Sequence, residues 1–356
     1  MSKILTSLGL MSGTSLDGID AAIIKTDGEE IHRTEHFLTI PYEDSLREKL
    51  FSVIKTQKNI EEVEKLLTEA HADAVKALLE KAGLSKDDID VIGFHGQTID
   101  HQPDKGITKQ IGDGKLLAEL TGINVVNDFR SADVKDGGQG APLAPLYHQA
   151  ILKEEAKPIA VLNIGGVANV TYVGRDELIA FDTGTGNAML NDWVKKHTGD
   201  EFDEDGKYAA QGTVNQEVIK KLLKHPYFSK EPPKSLDRND FSIDTLPEDI
   251  SLEDGAATIV DFMVKSIIRS CQYYPEKPKK WYVCGGGRHN KLIMEKLSEN
   301  LEDVQKIESL GLNGDAIEAE AFAFLAVRSL NKMPITLATT TGVKTPSATG
   351  GVFCPA

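Results

Sequence analysis

Residues 4–25, ILTSLGLMSGTSLDGIDAAIIK, read as an apolar strand (Ile4–Leu10), a glycine-rich turn and a second β-branched strand (Ile19–Lys25). The same pattern returns in residues 159–173, IAVLNIGGVANVTYV, with Gly166 standing 153 residues after Gly13. Two strand–turn–strand units at that separation predict two similar domains, each opening on a β-hairpin and facing the other across a cleft. Chance recurrence of a common hairpin is the competing reading. Elsewhere strand-like runs alternate with longer segments of helical period, the α/β signature. The clearest helix is expected over 60–82, where Val63, Leu67, Ala70, Ala74 and Leu78 form one apolar stripe and Gly83 stops it. A second is expected to open after Asp315, while Lys230–Ser242 and Thr336–Gly351 read as loops or extended segments.

Composition narrows the partners. The 356 residues carry a formal net charge of −15, and no basic block of five or six residues interrupts that surplus, so nucleic acid and anionic membrane surfaces are disfavoured. The apolar run at the start is short and lacks a cleavage pattern, and no stretch reaches the ~18 apolar residues of a span. Three widely spaced cysteines, Cys271, Cys284 and Cys354, offer neither a zinc pair nor a disulfide framework, which fits a cytoplasmic protein.

The turn Gly9–Asp20 combines three glycines, three hydroxyls and two carboxylates. Glycine lets successive N–H groups face an anion, Ser and Thr add donors, and Asp can hold Mg²⁺ directly or through water. That is the chemistry of a phosphate cradle, although an ordinary polar hairpin also accounts for it. No Walker sequence and no strand-linked G-x-G-x-x-G occurs. The run Tyr282–Asn290 (YVCGGGRHN) sets three glycines between a strand and a helix at Lys291, where a flat ligand could approach the backbone. Asp182 ends an apolar strand on a glycine-rich turn, the position of a catalytic acid or base; the structural alternative is a cap for a helix starting near Ala188. One Asp-Thr-Gly in a chain of this length does not make an aspartic protease, whose mechanism needs two carboxylates. His95, Gln97 and Thr98 close an apolar strand and can hydrogen-bond a polyol. Arg130 could bind a carboxylate in bidentate fashion or pair with Asp128 or Asp133.

With GLMSGTSLDGID, HGQT, NDFRSADVKDGGQGAPLAPLYH, NIGGVANVT, FDTGTGN and VCGGGRHN in this order, the sequence resembles the bacterial anhydro-N-acetylmuramic acid kinases over nearly its whole length. The resemblance implies an α/β fold of two related actin-like, ribonuclease H-like domains, here expected over 1–135 and 136–356, with the last segment a candidate to return to the first domain. It implies an enzyme that opens the 1,6-anhydro ring with water and phosphorylates O6 from ATP with Mg²⁺, in cell-wall recycling. It also implies a homodimer. In its terms Ser12, Gly13, Thr14, Ser15, Leu16, Asp17, Gly18, Ile19 and Asp20 hold ATP phosphates. Gly165 and Gly166 close on them, and Gly285, Gly286 and Gly287 border the adenosine. Asp182 is the catalytic base, and His95, Arg130 and Glu318 meet the sugar, Arg130 at its lactyl carboxylate. Glu320 competes with Glu318 for the last role. The usual aspartate ahead of the first glycines is replaced by Met11 and Ser12, so the Mg²⁺ ligands stay unassigned. A kinase for an anhydro-sugar without the lactyl group, and a non-catalytic ATP-dependent interaction protein, are the alternatives.

Overall fold

The computed structural model describes residues 3–13, 15–346 and 350–356. Thr14, one of the expected phosphate donors, lies outside them. The chain divides into two compact units, residues 1–154 with 315–356 and residues 155–314. Residues 136–154 therefore group with the first unit, later in sequence than the expected boundary at 135.

The first unit opens with β1 (Leu5–Met11), β2 (Gly18–Thr26) and β3 (Ile31–Pro41), followed by α1 (Asp44–Thr56) and α2 (Ile60–Ala82). Strand β4 (Val91–Phe94), the hairpin β5 (Gln97–Gln102) and β6 (Ile107–Ile111), α3 (Gly114–Thr121) and β7 (Val125–Asn127) come next. Two short helices, α4 (Ser131–Lys135) and α5 (Pro145–Ile151), end this part of the unit. β1, β2 and β3 form an antiparallel meander, and β4 and β7 add in parallel on the other side of β1, giving the order β3-β2-β1-β4-β7. Helix α2 has the predicted bounds: Val63, Leu67, Ala74 and Leu78 are buried against the sheet, and left-handed Gly83 returns its N–H to Leu79 and Glu80 carbonyls.

The second unit runs β8 (Ile159–Ile164), β9 (Val167–Val173), β10 (Leu178–Thr185), α6 (Asn187–Thr198), α7 (Gln216–Leu222), α8 (Leu252–Ser270), β11 (Trp281–Cys284), α9 (Lys291–Asn300) and β12 (Val304–Lys306). Its sheet has the order β10-β9-β8-β11-β12, again an antiparallel meander with two parallel strands beyond the first. Both units thus carry the ribonuclease H-like arrangement, and the two glycine turns noted in the sequence occupy the same place, between the first and second strands of each sheet. The recurrence is topological and not a coincidence of hairpins. Helix α8 is buried almost all round, with Ile259, Val260, Met263, Val264 and Ile267 in the second unit's core.

Helix α10 (Ile317–Leu330) and strand β13 (Val352–Cys354) complete the first unit. β13 pairs antiparallel with β7 at the sheet edge. Helix α10 lies on β1 and β4 with backbone nearly touching backbone: a Cβ at Gly9 would stand 1.8 Å from the Ala319 carbonyl oxygen, and one at Gly93 2.1 Å from that of Phe322. No side-chain adjustment can relieve either clash. The three cysteines are free thiols. No helix among the described residues is long and apolar enough to cross a membrane.

Gly9→Ala is expected to lower the stability of the folded chain by about 3 kcal/mol or more, through displacement of α10. Urea unfolding checks this, and a midpoint within error of the parent chain would refute the backbone contact.

Candidate active site

In the first unit the turn after β1 is shaped from below. The Ser12 hydroxyl is buried and lies 2.7 Å from the Tyr42 hydroxyl and 2.9 Å from His71 Nε2. His71 Nδ1 is 2.8 Å from the Leu67 carbonyl, so Nδ1 carries the proton and Nε2 accepts from Ser12, which in turn accepts from Tyr42. The Tyr42 backbone N–H also donates to the Asp17 carbonyl, so one residue grips both ends of the turn. Ser12 was expected to offer its hydroxyl to phosphate; that hydroxyl is instead committed to the interior. Leu16 and Ile19 likewise send their side chains into the core, leaving backbone groups as their only possible contribution. Gly18 is small because a Cβ there would meet the Ile40 carbonyl oxygen at 2.3 Å. Gly13 and Ser15 remain at the surface of the turn, with Ser15 donating to Asp17. Asp20, on β2, accepts from Thr39 at 2.6 Å. Burial, with the neighbouring charges of Asp17, Glu318 and Asp315, pushes its carboxyl up to about 7 against the lowering effect of the Thr39 bond.

His95, Arg130 and the 136–140 loop form a second cluster in this unit. His95 is buried; its Nδ1 faces the Gly96 carbonyl at 2.7 Å, and its Nε2 accepts from Arg130 Nε at 3.1 Å and Nη2 at 2.9 Å. Both ring nitrogens are therefore used, and His95 sets the plane of the Arg130 guanidinium. Arg130 Nη1 donates to the Gly140 carbonyl at 2.6 Å. Asp133, one of the two acids that could have paired with Arg130, spends its carboxylate on the Gly140 N–H and the Thr341 hydroxyl, both at 2.6 Å. It shapes the loop that holds Arg130.

Glu318 and Glu320 differ in burial and in partners. Glu320 is buried on the α10 face that receives the Arg33 guanidinium, at 2.7–3.1 Å, and the Tyr147 hydroxyl. Glu318 lies on a partly exposed face of the helix, and its charge reaches Asp20.

In the second unit Asp182 sits inside β10, which continues to Thr185, rather than at the strand's end. Helix α6 begins at Asn187 with Gly186 as its cap, so the capping alternative for Asp182 falls. Among the groups that hold this aspartate, the Leu236 N–H donates to Oδ2 at 2.7 Å, the Asp182 N–H donates to the Lys234 carbonyl at 3.1 Å, and the Tyr227 hydroxyl donates to the Asp182 carbonyl. Two of these groups come from the loop predicted over 230–242. The carbonyls of Gly165 and Gly166 accept from the backbone N–H groups of residues 186–188, which ties the turn after β8 to the start of α6. Of the three glycines after β11, Gly285 is left-handed (φ +73°) and Gly287 is pressed against Ile164, whereas a Cβ at Gly286 would find only Asn187 Nδ2, at 3.7 Å. Turn geometry accounts for two glycines, and Gly286 is the one whose bareness leaves room beside the chain. The buried Asn163 Oδ1, next to Gly285, has no hydrogen-bond partner among the described residues.

With these positions fixed, the family model for anhydro-N-acetylmuramic acid kinase matches residues 5–355. The chain belongs to this family. Proteins named anhydro-N-acetylmuramic acid kinase from Zymomonas mobilis (49% identical, 98% of this chain and 99% of that one), Paramagnetospirillum magneticum (48%, 98% and 99%) and Rhodospirillum rubrum (46%, 98% and 94%) are similar to it from end to end. Membership over that length agrees with the paired ribonuclease H-like units.

Tyr42, His71 and Leu236 are absent from the site expected from the sequence, where Asp133 stands only as a candidate salt-bridge partner of Arg130. Of the three absent residues only His71 left a trace, four residues after Leu67 on the buried stripe of α2. Burial holds the His71 imidazole down at about 4 and His148 at about 3, and burial with the Arg130 charge keeps His95 well below the usual histidine range. An unfolded histidine takes its proton near pH 6.5, so below that pH the unfolded chain binds protons that the folded one refuses. Stability is then full above pH 6.5 and lost as pH falls, by about 2 kcal/mol per buried histidine between pH 6.5 and 5. Urea midpoints across that range test this, and a flat profile would mean that the imidazoles charge within the fold.

Proposed function

We propose that the chain is an ATP-dependent kinase that opens the 1,6-anhydro ring of anhydro-N-acetylmuramic acid with water and phosphorylates the freed O6. The family match over residues 5–355 carries the reading, and the setting of Asp182 supports its mechanism. A carboxylate that accepts a backbone N–H at one oxygen is held in a set orientation, as a general base must be. In the proposed sequence Asp182 takes a proton from water as the water oxygen bonds to C1. The C1–O6 bond breaks with its electron pair on O6, O6 bonds to the γ-phosphorus, ADP departs, and Asp182 returns its proton to solvent. Arg130, aligned by His95 and Gly140, is assigned to the lactyl carboxylate, which favours a muramic sugar over a plain anhydrohexose. Glu318 is assigned to the sugar hydroxyls.

Gly13, Ser15, Asp17 and the backbone of the first turn are assigned to ATP phosphates, with Gly165 and Gly166 from the second, and Gly286 to the adenosine. Among the described residues no three metal-binding side chains converge. Mg²⁺ commonly keeps several waters and uses one or two carboxylates beside phosphate oxygens, so Asp17 and Asp20 fit a metal carried by the nucleotide, where it would neutralise phosphate charge. A cytoplasmic homodimer serving cell-wall recycling completes the proposal.

Incubation with anhydro-N-acetylmuramic acid, ATP and Mg²⁺ in ¹⁸O-water tests the reading: label at C1 and phosphate on O6 are expected, and unlabelled product would remove the hydrolytic step. Asp182→Asn should reduce kcat by about 10³-fold or more while nucleotide binding, followed by calorimetry, stays near that of the parent. Glu318→Gln should lower kcat with little change in Tm. Glu320→Gln, which leaves Arg33 buried beside a weaker partner, should instead cost about 3 kcal/mol of stability. The reverse pattern would exchange the two assignments.

A further inference from the structure

Lys234 is a lysine with only 5% of its surface exposed. Taking an ammonium out of water is costly unless its protons find acceptors. Here Nζ donates to the carbonyls of Lys230 at 2.9 Å and Tyr227 at 3.3 Å and to the Tyr273 hydroxyl at 3.4 Å. Three aromatic faces enclose it, with Nζ 4.7 Å from the ring centres of Tyr227 and Tyr273 and 5.8 Å from that of Phe181. Desolvated cation–π contacts of this kind are stronger than exposed ones.

Three of the groups that hold Asp182 are tied to this residue. The Lys234 carbonyl accepts the Asp182 N–H; Leu236, two residues on, supplies the N–H at Oδ2; Tyr227, whose ring and carbonyl hold the ammonium, donates its hydroxyl to the Asp182 carbonyl. Phe181, the neighbour of Asp182 on β10, forms one wall of the enclosure. The 230–236 segment has no helix or strand of its own, so it is held by such contacts, the buried ammonium and the core side chain of Leu236 among them.

We propose that Lys234 is a positioning residue for Asp182: its ammonium, clamped by Tyr227, Tyr273 and Phe181, pins the 230–236 segment so that the Leu236 N–H and Lys234 carbonyl hold the aspartate in its working orientation. This rests on the reading of Asp182 as the base. The charged and titratable groups facing Lys234 are Lys230 and Glu231 on its own segment, Arg269 on α8, and the hydroxyls of Tyr227 and Tyr273. Burial first, then the charges of Arg269 and Lys230, bring the ammonium down to about 8 against the opposing pull of Glu231. A neutral amine has one donor fewer and no attraction to the rings, so the grip on the segment weakens as pH rises past that value.

The test follows ADP release by the full chain at saturating sugar, from pH 6 to 10, for the parent, Lys234→Met, Lys234→Arg and Asp182→Asn. Lys234→Met is expected to lose about 10-fold or more in kcat with the KM for ATP within about twofold of the parent. Lys234→Arg should keep most of the activity at pH 7, because a guanidinium stays charged, and should lose the parent's decline in kcat near pH 8. Parent-like kcat in Lys234→Met, or an alkaline decline unchanged in Lys234→Arg, overturns the proposal. If Lys234→Met fails to fold by circular dichroism, the comparison of parent and Lys234→Arg profiles decides alone. An active Asp182→Asn would instead defeat the reading of Asp182, whereas an inactive Asp182→Asn beside a fully active Lys234→Met would defeat the positioning role only.

Discussion

The approach of helix α10 to β1 and β4 at Gly9 and Gly93 is the constraint on which the first unit depends. With no side chains between them, the helix can occupy only one height and one register over the sheet. That placement sends Glu320 inward to Arg33 and Tyr147 and leaves Glu318, half a turn away, on a partly exposed face from which its charge reaches Asp20. The same helix is thus both a structural lid for the sheet and a carrier of a candidate sugar-binding acid, and its buried carboxylate fixes the direction of its exposed one.

The two units use one topology differently. In the first, the turn after β1 is held through side chains: Ser12, Tyr42 and His71 form a closed run of donors and acceptors beneath it. In the second, the turn after β8 is held mainly through backbone, by the N–H groups at the start of α6, with the Asn187 side-chain amide donating to the Ile164 carbonyl. The poorer polar content of the second turn follows, since its shape needs no hydroxyl. Asp182 is anchored in the same economical way, by main-chain partners and one tyrosine hydroxyl.

Much of this was legible in the sequence because it rests on local pattern. The stripe of α2, the loop at 230–242 and the paired hairpins all follow from periodicity and glycine placement. Boundaries were less legible: β10 runs through Asp182 to Thr185 because the glycine at 184 sits in a strand irregularity, where a turn signal and a bulge look alike in sequence. The partners of the site residues were not legible at all. Leu236 reaches Asp182 across 54 positions and Tyr42 reaches Ser12 across 30, and nothing in one sequence marks which distant backbone or hydroxyl will arrive. Hydroxyls in the first turn looked equivalent, and only burial separates Ser12 from Ser15.

The first unit is built from two separated stretches of chain, 1–154 and 315–356, whereas the second is continuous. During synthesis the sheet of the first unit emerges without the helix that must lie on Gly9 and Gly93, so its apolar face stays uncovered until residue 330 has left the ribosome. The second unit has every one of its elements by residue 314. Vectorial folding therefore runs against chain order: the part begun first waits, exposed to chaperones and proteases, for the part translated last.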